Sequence, residues 1–584
     1  MRRLLIVFAL LAALVPAAWP VASQTQPADL ILVNGTVLTV DARDTIAEAL
    51  AVRGGKIVAV GATADISRMA GERTTVVDLA GRTATPGLID THLHVSPPSD
   101  QLDLSDPDIR TIADLQARLR AAVAAHQPGE WVRGRGWDEG KLAEARFLRA
   151  SDLDVVSPDN PVWLTHTTGH YGVGNSLALE LAGITRETRD PPAGTIERDA
   201  GGNPTGLMKE SATGLITRAM DGGGARGRGR GGDARAGLAV TFANFNREGM
   251  TAVKDPGVNA GRFDEYRQML EAGTLSVRVF ALWRGGRTVE SVDGTIQRMA
   301  AYPRLPATLG DGRLISGGVK LFMDGSGGAR TGWMHRDWNV ESTNVDAGNA
   351  GYPTTEPDVY REQVRRLHEA GVHVGTHAVG DRAIDFVVDT YAEVLRARPT
   401  RGLRHSIIHA NVPTDHAIDV MAELQRTFDA AYPEAQAPFM WWIGDTYAGN
   451  FGPARSARLM PFQTYVKKGV VWAGGSDYSV TPYPARYGLW SSVVRRTLRG
   501  TYGETAFGTA EAVDIRAALR SYTIWAARQL FLEDRIGSLE AGKDADIAVW
   551  TRNPYTMPAD DLQHLRCELT LLAGRVVYQA PPGG

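Results

Sequence analysis

Eight strand-like apolar runs, separated by helix-patterned stretches along 584 residues, constrain this chain more than any other feature. They begin near Leu88, Met250, Val277, Ile315, Val372, Ser406, the 427–440 region and Val470. A strand followed by a helical crossover is the repeating unit of a parallel sheet, and eight such units are the count of a (β/α)8 TIM barrel. Functional side chains in such a barrel gather at the C-terminal strand ends. The first run follows the Pro86-Gly87 turn and ends in Thr91-His92-Leu93-His94. Alternate side chains of an extended segment share a face, so His92 and His94 project together and can hold one divalent ion.

The barrel is expected over residues 85–532, with an insertion at about 97–249 that is too long for an ordinary connection. Short strand-like runs flank it at both chain ends: 30–33, 36–40, 49–52, 57–60 and 74–79 before it, and 547–550, 569–572 and 576–578 after it. Neither end alone has the strands to close a core, so residues 24–84 and 533–584 are expected to form one small β-sandwich domain. Residues 1–23 read as a signal peptide: Arg2-Arg3, the apolar stretch 4–14, then small residues at Val21-Ala22-Ser23. The apolar core is about half of the ~20 residues a spanning helix needs. The expectation is export, periplasmic or secreted, with no stable membrane anchor.

A net charge of −3 gives no reason to expect nucleic acid as a partner. The Arg-Gly tract at 222–232 lacks aromatics for base stacking and reads as a loop. Cys567 is the single cysteine, which excludes a disulfide and a cysteine-built zinc site. A metal must therefore use histidines and carboxylates.

Placed on the eight runs, His92 and His94 end the first, Lys320 lies within the fourth, His377 ends the fifth, His409 ends the sixth and Asp477 ends the eighth. Four histidines and one carboxylate can hold two divalent ions if an anion bridges them. Lys320 sits in the apolar run Val319-Lys320-Leu321-Phe322, where burial would lower its pKa and expose an amine able to take up CO2 as a carbamate. Lys254 is the rival, but Lys254-Asp255-Pro256 reads more simply as a strand end making an ion pair. Water between two such ions becomes hydroxide near neutral pH, and Asp477 can accept and return the proton. The reaction class is hydrolysis of a small-molecule amide-type bond. Zinc is favoured because imidazole-rich sites suit it. Two alternatives stand beside this reading: a mononuclear deaminase or cyclic amide hydrolase using His92, His94, His377 and Asp477, and a catalytically silent exported binding or regulatory protein. A homo-oligomer is compatible with the sequence, which carries no specific sign of one.

The stretch Pro86–His94 resembles the opening signature of the amidohydrolase superfamily. The segments 320–326, 377–383 and 475–477 narrow the resemblance to the amidohydrolase 3 family, which includes proteins like N-substituted formamide deformylase and exoenzyme regulators. The resemblance implies a binuclear centre with carboxylated Lys320 and a β-sandwich made by both termini. It also implies substrate binding by His170, within a Gly169-His170 pair followed by Asn175-Ser176, while His166 reads as structural. The chain departs from the family pattern at Lys254, where relatives commonly have His, and in the seventh run, 428–438, where an apolar run followed by Gln-Pro is usual. Both departures bear on substrate choice more than on metal binding. Trp333, Trp441 and Trp442 are candidates to line an apolar pocket.

Overall fold

The computed structural model describes residues 26–222, 234–302, 308–338 and 348–581. The signal-peptide stretch and nearly all of the Arg-Gly tract lie outside them. Eight parallel strands form the barrel: β1 (Leu88–Asp90), β2 (Met250–Val258), β3 (Arg278–Arg284), β4 (Leu314–Phe322), β5 (His373–Ala378), β6 (Ser406–His409), β7 (Tyr432–Ala435) and β8 (Ala473–Gly474). Each pairs with the next in chain order, and Thr91 N donates to Gly474 O at 3.0 Å to bring the last strand beside the first. The expected (β/α)8 architecture is therefore the observed one.

The outer helices follow from their apolar spacing. In Asp381–Ala397, residues Ile384, Val387, Val388, Tyr391 and Leu395 are buried at intervals of one helical turn, forming the stripe that covers the sheet. Inside the barrel, Ile89, Ala252, Phe280, Ile315 and Ile408 pack against Ala527, Leu530 and Ile536. The segment after the barrel thus plugs one end with apolar side chains.

The chain ends build two facing sheets. One holds Lys56–Gly61, Ala49–Arg53, Leu30–Val33 and Thr75–Asp78. The other joins Arg575–Gln579, Cys567–Leu572 and Ile547–Trp550 to Thr83–Pro86, Thr36–Leu38 and Ile46–Ala47. Leu32, Val37, Leu50, Ile57, Ile547, Val549 and Leu571 fill the space between them. The insertion has its own six-stranded sheet, whose strands Tyr171–Gly174 and Pro204–Glu210 run antiparallel and carry His170 and Glu210 at adjoining ends. No helix among the described residues is long and apolar enough to cross a membrane.

Two local expectations need correction. Lys254 is not at a strand end, since β2 continues to Val258; the expected ion pair is made, with Glu434 of β7. The eighth strand is only Ala473–Gly474, so Asp477 lies three residues beyond it, in a turn with left-handed backbone (φ 54°). The indistinct seventh run is the short β7, preceded by Asp429 and Ala431 at φ 55° and 65°, which interrupt its alternation.

Candidate metal centre

The end of β1 and the turn after β8 are stitched together before any ligand is considered. The Asp90 carboxylate accepts from His92 N at 2.9 Å and from Ser476 N at 3.0 Å. Asp477 N donates to His92 O, and His94 N to Tyr478 O, both at 2.6 Å. Burial pushes Asp90 up to about 7 against the lowering effect of the Ser476 and His92 hydrogen bonds. This lacing sets Asp477 Oδ1 at 3.6 Å from His92 Nε2 and 3.3 Å from His94 Nε2. The three residues offer ligand atoms within 4.8 Å of one another. His92 is buried, whereas the His94 side chain is 51% exposed at the rim.

From the other side of the mouth come His377 and His409, their rings 4.5 Å apart, with His409 5.2 Å from His92. Hydrogen bonds choose the tautomers. His377 Nε2 meets Gly325 O at 2.9 Å, and His409 Nδ1 meets Gln436 Oε1 at 2.7 Å. A ring nitrogen donating outward leaves the other lone pair inward, so Nδ1 of His377 and Nε2 of His409 are the atoms available to a metal. Burial holds His92, His377 and His409 well below the usual histidine range, so their rings are neutral and their lone pairs available. His409, at φ 76°, shares left-handed backbone with Asp477, a placement that costs on the order of 1–3 kcal/mol at a non-glycine residue and clusters at functional sites. Lys320 is buried, and burial pushes its amine down to about 7 although Asp477 and Glu434 act in the opposite sense.

Three residues not anticipated from the sequence complete the arrangement. Glu434 forms a very short ion pair with Lys254, whose Nζ also lies 3.4 Å from His373 Nε2. Its second oxygen, Oε2, is 3.8 Å from His92 Nδ1. Gln436 orients His409, as above. Glu210 receives His170 Nδ1 at 3.0 Å and the Thr331 hydroxyl at 2.5 Å. The signal available in the sequence was Lys254 itself: a lysine inside an apolar run needs some partner, although the run does not say which.

Does this donor set fit metal ions? Glu434 Oε2, His92 Nδ1 and Asp477 Oδ1 are all buried without a hydrogen-bond partner. Each such atom costs about 1–3 kcal/mol when left unsatisfied. Neutral imidazoles and an aspartate oxygen converging on that deficit fit divalent cations as the missing partners. Asp138, Glu139 and His166 form a second buried group with ligand atoms within 4.8 Å. There, burial acts to lower the His166 pKa, but the Glu139 charge and the carboxylate hydrogen bonds raise it on balance. Thr168 N donates to His166 Nδ1 at 3.1 Å, and Tyr171 OH bridges Glu139 and His166 Nε2 at 2.9 and 2.8 Å, so both ring nitrogens of that cluster are already engaged. That engagement agrees with a structural reading of His166.

His170 reaches the mouth from the insertion, its ring 5.2 Å from that of His377. Burial opposes its protonation, but Glu210 outweighs burial and raises its pKa. With Thr168, His377, His409, Phe439 and Tyr447 it lines a cavity of about 10 Å³. The three tryptophans do not line it: Arg382 stacks on Trp333, Trp441 packs on Tyr487 and Trp490, and Lys141 lies over Trp442.

Residues 75–578 match the family model described as "Amidohydrolase family". The chain is 29% identical over 563 residues to N-substituted formamide deformylase of Arthrobacter pascens, covering 95% of this chain and 99% of that one. It is 28% identical to Protein LONG AFTER FAR-RED 3 of Arabidopsis thaliana, covering 94% and 92%. An uncharacterized metal-dependent hydrolase from Pyrococcus horikoshii has the same fold, with TM-score 0.64 at 22% identity over 91% of this chain and 99% of that one.

Proposed function

The chain belongs to the amidohydrolase family, and from that premise we propose that it hydrolyses the carbon–nitrogen bond of a small non-peptide amide at a two-metal centre. One observation carries the proposal: His92, His94, Lys320, His377, His409 and Asp477 converge on one barrel mouth where buried polar atoms lack partners. Bound there, divalent ions would polarise a carbonyl and lower the pKa of water toward neutrality. Zinc suits the imidazole-rich donor set. Lys320, near half-deprotonated at neutral pH, attacks CO2 through Nζ and loses a proton, becoming the anionic carbamate that six-residue ligation calls for. Asp477 takes up a proton at Oδ1 and delivers it to the leaving nitrogen. His170, held by Glu210, whose charge favours the protonated ring, binds the substrate carbonyl.

N-substituted formamides, the substrates named for the Arthrobacter relative, are the first compounds to try. The test is hydrolysis of N-formyl, N-acetyl and cyclic amides with and without a chelator, beside metal analysis. Close to two ions per chain, chelator-sensitive activity and a preference for formyl are expected. Fewer than one ion with undiminished activity overturns the two-metal reading. A mononuclear deaminase or cyclic amide hydrolase draws support from the group His92, His94 and Asp477, whose ligand atoms lie within 4.8 Å of one another. That reading predicts one ion per chain and no change in metal content on Lys320→Ala. We also propose export with removal of residues 1–23, checked by N-terminal sequencing of the mature protein.

A further inference from the structure

A cleft of about 460 Å³ opens where the insertion meets the helix Gly444–Ala457 of the barrel. Thr446 and Asn450 of this helix line the cleft, whereas Tyr447 lines the cavity at the metal centre. The helix therefore stands between the two spaces. Six cationic side chains border the cleft, against three carboxylates. Those carboxylates are already engaged elsewhere. Glu139 faces Tyr171 and His166, Asp445 accepts Arg499 N and Thr501 N at 2.8 Å, and Glu197 accepts the Thr205 hydroxyl at 3.2 Å.

Of the six cations, Arg146 is neutralised by a two-pronged pair with Asp152 at 2.7 and 2.8 Å. Lys141 is the informative one. It lines the cleft with 6% exposure, lies 3.7 Å over the Trp442 ring, and its Nζ has no hydrogen-bond acceptor. The buried Asp138 carboxylate supplies the largest opposing charge but no hydrogen bond, and an amine withdrawn from water without an acceptor is costly, a cost that an anion repays more fully than any neutral group. Arg499 and Arg330 flank it. Arg499 reaches the Pro107 carbonyl, and Arg330 Nη1 donates to Asn450 Oδ1 at 3.2 Å, which fixes both guanidinium planes beside the cleft.

We propose that this cleft is a second binding site, separate from the metal centre, for a small anion bearing phosphate or carboxylate groups, with Lys141 as its central contact. It does not depend on which bond the metal centre cleaves. Glu139, at the cleft wall, connects through Tyr171 and His166 to Thr168 at the metal-centre cavity, with His166 Nδ1 at 2.9 Å from the Thr168 hydroxyl. An occupant of the cleft therefore sits at the far end of a hydrogen-bonded chain leading to the catalytic mouth.

The experiment is calorimetric titration of the full-length, metal-loaded protein with inorganic phosphate, glycerol 3-phosphate and citrate at low ionic strength. Saturable binding of at least one probe is expected. Lys141→Met, which keeps the stem on Trp442, should weaken it about tenfold or more, the scale of one hydrogen bond to a charged group. Arg499→Gln, at the more open side, should weaken it by a smaller factor and guards against a fold defect in the first variant. Tighter binding of glycerol 3-phosphate or citrate than of phosphate identifies an organic anion, and equal binding identifies the inorganic one. No saturable heat with any probe overturns the proposal. So does binding that neither variant weakens, which would put the anion at the metal centre, or binding that equimolar chloride abolishes.

Discussion

Lys320 and Lys254 lie in one barrel, on β4 and β2, both buried, and burial lowers the pKa of both. Their partners differ. Lys254 is locked to Glu434 across the barrel, an ion pair in which each side chain is fully buried. Lys320 has no ion pair with a carboxylate among the described residues; its Nζ lies 4.9 Å over the Phe322 ring, toward the mouth where the histidines gather. A buried lysine with a committed carboxylate holds strands in register. One without a committed carboxylate is an amine held near neutrality, ready for chemistry. Sequence context alone does not separate the two, because both stand in apolar strand runs.

The comparison breaks most visibly at Lys320. Lys320→Ala should lower metal content from close to two ions per chain to one or fewer. Hydrolysis should fall on the order of a thousandfold, the scale seen when one charge-stabilising group is removed from an active site. Unchanged metal content would return Lys320 to a structural role like that of its neighbour.

Lys254→Met tests the other half. It strands the Glu434 carboxylate in the barrel, and breaking one partner of a buried pair costs about 3–5 kcal/mol. Denaturant unfolding should register that loss while the metal content of the folded fraction persists. Lys254→Met combined with Glu434→Leu should recover most of the stability, since an apolar pair replaces a buried charge pair at little cost. If the double variant loses metal as well, Glu434 Oε2, beside His92 Nδ1, is itself a ligand.

A smaller effect is expected at Gln436, which touches no metal but fixes His409 through Nδ1. Gln436→Leu should weaken metal affinity about 10–100-fold, the usual effect of deleting a group that orients a ligating histidine, measured by chelator competition. Gln436→Glu, still able to accept from Nδ1, should retain most of the affinity.

These residues also mark how far the sequence could be read. The placement of His92, His94, Lys320, His377, His409 and Asp477 was legible because each sits at or near the end of an apolar run, and a barrel sends run ends to one mouth. Glu434, Gln436 and Glu210 were not. Their roles come from contacts with side chains 180, 27 and 40 positions away in the chain, which no local pattern encodes. The strand carrying Glu434 and leading to Gln436 is four residues long, and the left-handed residues just before it hide its period of two. The cleft around Lys141 was equally invisible, since it exists only where the insertion meets the barrel.

The difference between the two lysines has a further, gentler signature in pH. An unfolded lysine titrates near 10.4, and folded Lys320 titrates at about 7. Between those values the unfolded chain of the metal-free protein binds more protons at this position, so stability rises with pH across that window, by up to about 1.4 kcal/mol per unit. Asp90 and Asp324 act in the opposite sense over a lower window. Burial raises both carboxyls to about 7, so their contribution is present in acid and is lost as pH climbs from near 4 to 7. Metal-free protein should therefore pass through a stability minimum near pH 7. Lys320→Met should lower the alkaline limb, to which Lys141 at about 8 also contributes, and leave the acid limb in place, read by urea unfolding from pH 5 to 9. An alkaline limb undiminished in Lys320→Met and lowered in the Lys254→Met, Glu434→Leu pair would assign the deprotonating amine to Lys254 and reverse the comparison.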